Sequence, residues 1–227
     1  MTRKKHADGE SSSKTFLAWG AFVFGLVGMV IGVMGFRQAA RTATLAQETA
    51  RQAQKTENDR TLEAAFDLMG GKPGSTTIDL RLNDRRAADG DLEAARRRID
   101  EVLAKDPTNA RAHRYRALYL RLIGKSDDAI AELTRAIALA ADDDVLAAQS
   151  HNTLGAVLAN QQKYLEASDH FREASKREPR NAIYLVNLAN ALKAAGKDAE
   201  ATAAIEEARQ IDPSIARPSD GPKRPEQ

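Results

Sequence analysis

The chain of 227 residues contains no cysteine. Disulfides, thiol nucleophiles and thiolate metal sites are therefore excluded, while the redox compartment stays open. Aromatic residues are only 5% of the total, and alanine takes much of the apolar share. Alanine-rich helices approach closely but bury little area each, so their stability must come from stacking against neighbours. Charge of one sign is also scarce: the formal net charge is +2. Residues 76–215 hold 21 Lys and Arg against 23 Asp and Glu, a balance that argues against a general nucleic-acid-binding domain. Glycine-rich phosphate loops, HExxH and Gly-x-Ser-x-Gly are all missing, so catalysis is not expected. The four histidines, His6, His113, His151 and His170, lack a third ligand at usable spacing. Asp142-Asp143-Asp144 lacks the alternation of a calcium loop. No catalytic residue, metal or cofactor is expected.

One long apolar run is present. Phe16 to Phe36 is free of charge and, as a helix, spans roughly 30 Å, the thickness of a bilayer's hydrocarbon core. It exceeds the apolar region of a signal peptide, so residues 16–36 are expected to be an uncleaved transmembrane helix behind a disordered basic tail, 1–15. Gly28 and Gly32 are spaced for close helix association in the membrane, as are Ala21 and Gly25. Basic residues flank both ends, which makes orientation close to a tie. The clustered Arg3, Lys4 and Lys5 favour an inner-membrane protein of a bacterium with its C-terminal part in the periplasm. Residues 37–69 carry Ala39, Ala43, Ala46, Ala50 and Ala53 at coiled-coil-like spacing, with alanine where leucine normally gives stability. They read as a helical stalk, bringing the length from Phe16 to Met69 to roughly 80 Å. Its last turns, Leu62, Ala65, Phe66 and Met69, are amphipathic and expected to cap the C-terminal part of the chain. A hinge at 70–75 comes next.

From there the chain repeats itself. Leu154-Gly155, Tyr164, Ala167, Phe171, Ala174 and Pro179 return 34 residues later as Leu188-Ala189, Asp198, Ala201, Ile205, Ala208 and Pro213. The equivalent alanines Ala95, Ala129, Ala167 and Ala201 mark four copies, 76–109, 110–143, 148–181 and 182–215. A 34-residue period of paired helices resembles the tetratricopeptide repeat family. The implied fold is all-α: a helical solenoid of about four helix-turn-helix units over 76–215, ending in a disordered tail, 216–227. Gly90, Gly124 and Gly196 are expected at the turns within units, with Gln162 in that place in the third. The surplus Asp144–Ala147 either lengthens a helix or loosens a loop. The first helix of the first copy, Thr77–Ala88, is the poorest match.

The resemblance implies that first helices line a concave surface holding an extended peptide or a partner's helix. Carried over by position, the second unit presents Arg111, Arg114, Tyr115, Leu118 and Arg121; the third Gln149, Asn152, Thr153, Ala156 and Asn160; the fourth Ile183, Asn187, Asn190 and Lys193. The asparagine pair Asn187 and Asn190 resembles those that hold peptide backbone in protein O-GlcNAc transferases. Arginines at one end favour an acidic segment or a terminal carboxylate. The expected function is a membrane-anchored protein-binding scaffold, assisting secretion or envelope assembly, with a protein or peptide partner, the bilayer at 16–36 and no nucleic acid. The alternative is a structural protein that self-associates, as a homodimer, through the membrane glycines and the alanine seam.

Overall fold

The computed structural model describes residues 7–71, 89–140 and 142–215, with side chains at Trp19, from Gly25 to Gly71 and from Asp91 onward. Of the expected disordered tail 1–15, residues 7–15 are instead helical, as the first turns of α1, while 1–6 and the expected tail 216–227 lie outside the described residues. Eight helices occur among those described: α1 (Ala7–Leu68), α2 (Asp89–Lys105), α3 (Ala110–Leu122), α4 (Ser126–Leu139), α5 (Asp144–Asn160), α6 (Tyr164–Arg177), α7 (Ala182–Ala194) and α8 (Asp198–Ile211). The chain divides into two units, one ending at Glu57 and the other beginning at Asn58.

The first unit consists of α1 up to Glu57. Its apolar side chains are uncovered: Met29 and Trp19 are each 70% exposed, Phe36 78%. Around Gly25, Gly28, Gly32 and Gly35 an added Cβ would meet nothing within 4 Å. Among the described residues no helix is long and apolar enough to cross a membrane. The side chains of 16–18 and 20–24, within the expected span, lie outside that description.

In the second unit successive helices pair. α3 packs on α4, α5 on α6 and α7 on α8, and α4–α5 and α6–α7 contacts join one pair to the next. Each first helix starts at a side-chain cap: Asn109 accepts from the Ala112 N–H, Asp143 from Leu146 and Asn181 from Ile183. Such caps occupy donors that the helix cannot satisfy itself. The turn inside each pair needs a left-handed residue, supplied by Gly124 (φ 78°), Gln162 (φ 63°) and Gly196 (φ 77°). Gln162 holds that conformation without glycine's freedom from Cβ repulsion. Gly90 is not at a turn but is the second residue of α2. The surplus Asp144–Ala147 lengthens a helix: α5 begins at Asp144, and Leu146 and Ala147 are buried.

The main core runs through α3 to α8, with Leu133, Leu154, Val157, Phe171, Leu188 and Leu192 among its buried members. Each such side chain contributes about 1.5–3 kcal/mol on burial. A second core lies at the end of α1. Leu62, Ala65, Phe66 and Met69, at the end of α1, pack with Ile99 and Val102 of α2 and Leu118 and Tyr119 of α3. Asp59 meets Arg111 and, further along both helices, Phe66 meets Tyr115, so this stretch runs parallel to α3. These turns cover α2 and α3, as the amphipathic end of the stalk was expected to do; Gly70 and Gly71 follow α1, and 72–88, with the rest of the expected hinge and the first helix of the first copy, lies outside the described residues.

Candidate binding face

α3, α5 and α7 touch one another directly, and no comparable contact joins α4 to α6 or α6 to α8. Inner helices that approach more closely than outer ones curve the stack, so α3, α5 and α7 form its concave side. Their residues at spacings of three and four share that side.

On α3 the structure divides the arginines by role. Arg111 donates to Asp59 across 3.2 Å, so its charge is already partnered. Arg114 is only 2% exposed and lies with its guanidinium carbon 5.7 Å from the centre of the Tyr115 ring. Burial pushes its pKa down to about 10; Tyr115 and Tyr184 oppose that fall, while repulsion from Arg111 and Arg121 adds to it. Arg121 is half-buried, its pKa is lowered by burial, and its Nε is buried without a hydrogen-bond partner. Tyr115 stacks on Phe66, centroids 5.3 Å apart and planes 19° from parallel, and burial raises its phenol. Leu118 is 1% exposed within the core that α1 completes. Leu118 and Arg114 are thus floor residues, where the sequence placed them as contacts. Leu118 is covered by the last turns of α1, while Arg114 is buried beside Tyr115 and near enough to Tyr184 of α7 to feel its charge.

α5 and α7 carry the amides. Asn152 is buried, and its Oδ1 accepts from Asn187 Nδ2 at 2.8 Å. That bond ties α5 to α7, so Asn187 spends a donor inside the protein that the sequence assigned to ligand backbone. Gln149 is half-buried, and its backbone carbonyl accepts from Thr153 Oγ1. Asn190 and Lys193 are exposed on α7, as is Ile183. Ile183 opens onto a cleft of about 740 Å³ formed by Glu178–Ala182, Ile211 and Asp212. Of the expected contacts, Tyr115, Arg121, Gln149, Ala156, Asn160, Ile183, Asn190 and Lys193 remain at least partly open, together with Arg111 and Asn187, which already have partners. Gly28 and Gly32 belong to the first unit and take no part in this face.

The histidines hold helix pairs together. His113 Nδ1 lies 2.6 Å from Glu132 Oε2, and its Nε2 donates to the Pro107 carbonyl at 3.0 Å. One unit on, the same two places hold His151 and His170, Nδ1 to Nδ1 at 3.0 Å with rings stacked at 5.3 Å. The fourth unit has Leu185 and Ala204 there, both buried. Burial, and then His170, push His151 down to about 4, against a raising influence from Glu173; burial lowers His170, against Asp169, Glu166 and Glu173. A histidine whose folded pKa is depressed favours the neutral form. Its contribution is present above the unfolded value of about 6.5 and lost as pH falls towards 4. Thermal melts between pH 7 and pH 4 should show this loss, and His151→Leu with His170→Ala, the fourth unit's residues, should reduce it. An unchanged pH profile in the double variant would assign the acid sensitivity elsewhere. His113 and His151 are both buried, and nothing in the sequence reading paired His151 with His170. The shared spacing of 19 residues was the available signal. Among the described residues no group of three or more His, Asp or Glu side chains is placed to hold a metal.

Fold and face together define an α-solenoid of stacked helix pairs with a mixed cationic and amide concave side. The tetratricopeptide repeat model matches residues 81–144 and 152–214, more than half of the chain, and the chain belongs to that family. A search of the curated proteins finds no match. Among solved structures, pilF of Pseudomonas aeruginosa is 22% identical, with a TM-score of 0.51, covering 69% of this chain and 64% of its own. Two MamA structures, 24% and 20% identical, each give a TM-score of 0.49, covering 60% and 72% of this chain and 77% and 87% of theirs. At these identities the pilF likeness concerns the fold alone.

Proposed function

We propose that this chain is a membrane-tethered interaction scaffold whose concave face binds a polypeptide segment of a partner protein. The observation that carries it is the inner face itself. Among the described residues, Arg121 and Lys193 are cations with no ion pair formed within 4 Å, Asn190 is an open amide, and Gln149 and Tyr115 are half open. A half-buried guanidinium with an unpartnered nitrogen costs desolvation in the free protein and regains it on binding an acceptor. Tethering is supported by the charge-free run 16–36 and by the exposure of its described apolar side chains on every side of α1. A helix apolar all round requires an apolar surrounding. Inner-membrane placement with a periplasmic solenoid, and assistance to secretion or envelope assembly, extend this reading.

Self-association as the main role has less support. Thr202, Glu206, Glu207 and Gln210 of α8 are exposed and polar, with Ala203 and Ile211 the apolar residues exposed beside them, while Ala204 is buried, so the described outward side of this helix is mostly polar.

Two measurements test the proposal. In carbonate-washed membranes the full chain should stay in the pellet and a variant lacking 16–36 should not; release of both would remove the tether. A photo-crosslinking residue at Asn190 should capture a partner, and Ala156→Trp, which narrows the face, should reduce that capture about tenfold. Equal capture from exposed Thr202 on α8 would remove the concave assignment.

A further inference from the structure

Equivalent histidines in the second and third units are satisfied differently. His113 uses both ring nitrogens, one on Glu132 and one on the carbonyl of Pro107, six residues earlier. In the third unit the place of Pro107 falls to Val145, which the surplus turn has drawn into α5, so its carbonyl is committed to the helix ladder. The place of Glu132 falls to His170. The Nδ1 atoms of His151 and His170 are 3.0 Å apart and the ring centres 5.3 Å apart, so the nitrogens lie on the facing edges of the rings. A single hydrogen fits between them, and one lone pair therefore points into the gap. Among the described residues neither Nε2 has a hydrogen-bond partner.

The carboxylates nearby differ in how far they are engaged. Asp169, Glu166 and Glu173 of α6 all act on the charge of His170. Asp169 is held by Arg172 at 2.7 Å and Glu173 by Lys176 at 3.2 Å. Glu166 lies one turn before His170 on the same side of the helix. It is exposed, and among the described residues it has neither a hydrogen bond nor an ion pair. Arg177, whose charge opposes a cation at His151, is drawn to Asp144 at 3.1 Å.

We propose that His151 and His170 form a site for a divalent transition-metal ion of the zinc, nickel and copper group, bridging α5 and α6, with Glu166 turning inward as third ligand. Imidazole nitrogen suits these ions, and two histidines, a carboxylate and water are a set that zinc accepts. Two zinc–nitrogen bonds of about 2.0–2.1 Å at a tetrahedral angle place the nitrogens about 3.3 Å apart, so the rings need to part by only about 0.3 Å. Magnesium and calcium require oxygen ligands, of which the protein offers one side chain here. The site occurs in one unit: His113 has both nitrogens occupied, and Leu185 and Ala204 of the fourth unit have no donor atoms. A bound ion ties the two helices of the third unit together and stabilises the folded chain by mass action. The site lies between α5 and α6 and does not depend on the binding role of the concave face.

The test takes the full chain in detergent, without an affinity tag and stripped by a chelator, and titrates it with zinc, nickel, copper or magnesium chloride. Calorimetry should find a single equivalent of zinc bound and no magnesium, and zinc should raise the thermal midpoint. In nitrogen-15 spectra the Nδ1 resonances of both rings should shift with zinc. His151→Leu with His170→Ala, which carries the fourth unit's residues, should lose that equivalent. Glu166→Gln, at an exposed position, should weaken zinc about tenfold and leave the melting of the ion-free chain unchanged. If the double variant loses helix by circular dichroism, His170→Gln takes its place, with the same expected loss. Undiminished zinc binding in the histidine variant, or its loss in His6→Ala, would overturn the proposal. So would shifts confined to Nε2, equal uptake of magnesium, or no binding of any ion.

Discussion

Phe66→Ala is expected to cost about 3–5 kcal/mol, the range for removing a buried aromatic ring, and to do so at one end of the solenoid. The ring is 5% exposed, stacks on Tyr115 and packs with Leu62, Met69, Ile99 and Leu118. It also occupies the space against Gly71, where an added Cβ would stand 2.2 Å from it. Without it, the end of α1 loses its largest apolar contact, and α2 and the adjoining face of α3 open to water. Because each unit of a solenoid touches only its neighbours, the loss should stay local. Hydrogen exchange should accelerate first in α2 and α3, with α6 to α8 close to their original protection. Uniform acceleration through α8 would show that the end of α1 is not a local cover.

Gly155→Ala is the second large effect, and it acts in the middle. Its new Cβ would lie 2.8–3.0 Å from the ring of Phe171, a residue 4% exposed in the main core. The ring has no room to retreat, so the methyl group forces α5 away from α6 at a cost of about 1–3 kcal/mol. Units on both sides rest on this pair, so protection should fall in α3–α4 and α7–α8 together. Phe171→Leu in the same chain makes space for the methyl group. The double variant should be more stable than the sum of the single effects implies, since residues in contact do not act additively. Additive losses in thermal melts would mean that the contact is not what limits the site.

These two positions also show how far the sequence could be read. Leu154, Gly155, Ala167 and Phe171 belong to one packed core, and Ala174 packs with Ala148 and Tyr184 of the neighbouring first helices; all five are buried. A repeated contact leaves a repeated residue. The end of α1 carries no such mark. Leu62, Ala65, Phe66 and Met69 were legible only as an amphipathic cap, from their own spacing, and they pack with α2 and α3. The binding face was legible by position and misread by exposure. Arg114 and Leu118 fall on the expected side of α3 but are buried, Leu118 under the end of α1. Asn187 faces the expected way and is taken by Asn152.

The sequence by itself determined the helices, their pairing, the left-handed turns at Gly124, Gln162 and Gly196, and the family. All of these follow from contacts between residues close in the chain or repeated along it. Only the tertiary structure decided which cations stay open, which amides are spent, and that α3, α5 and α7, with one carboxylate among them, lie together on one side of the stack while α4, α6 and α8 carry ten. Those outcomes depend on neighbours as distant as Asp59 from Arg111, 52 residues apart. A near-neutral total, summed along a chain, cannot show on which side of a curved stack each sign lies.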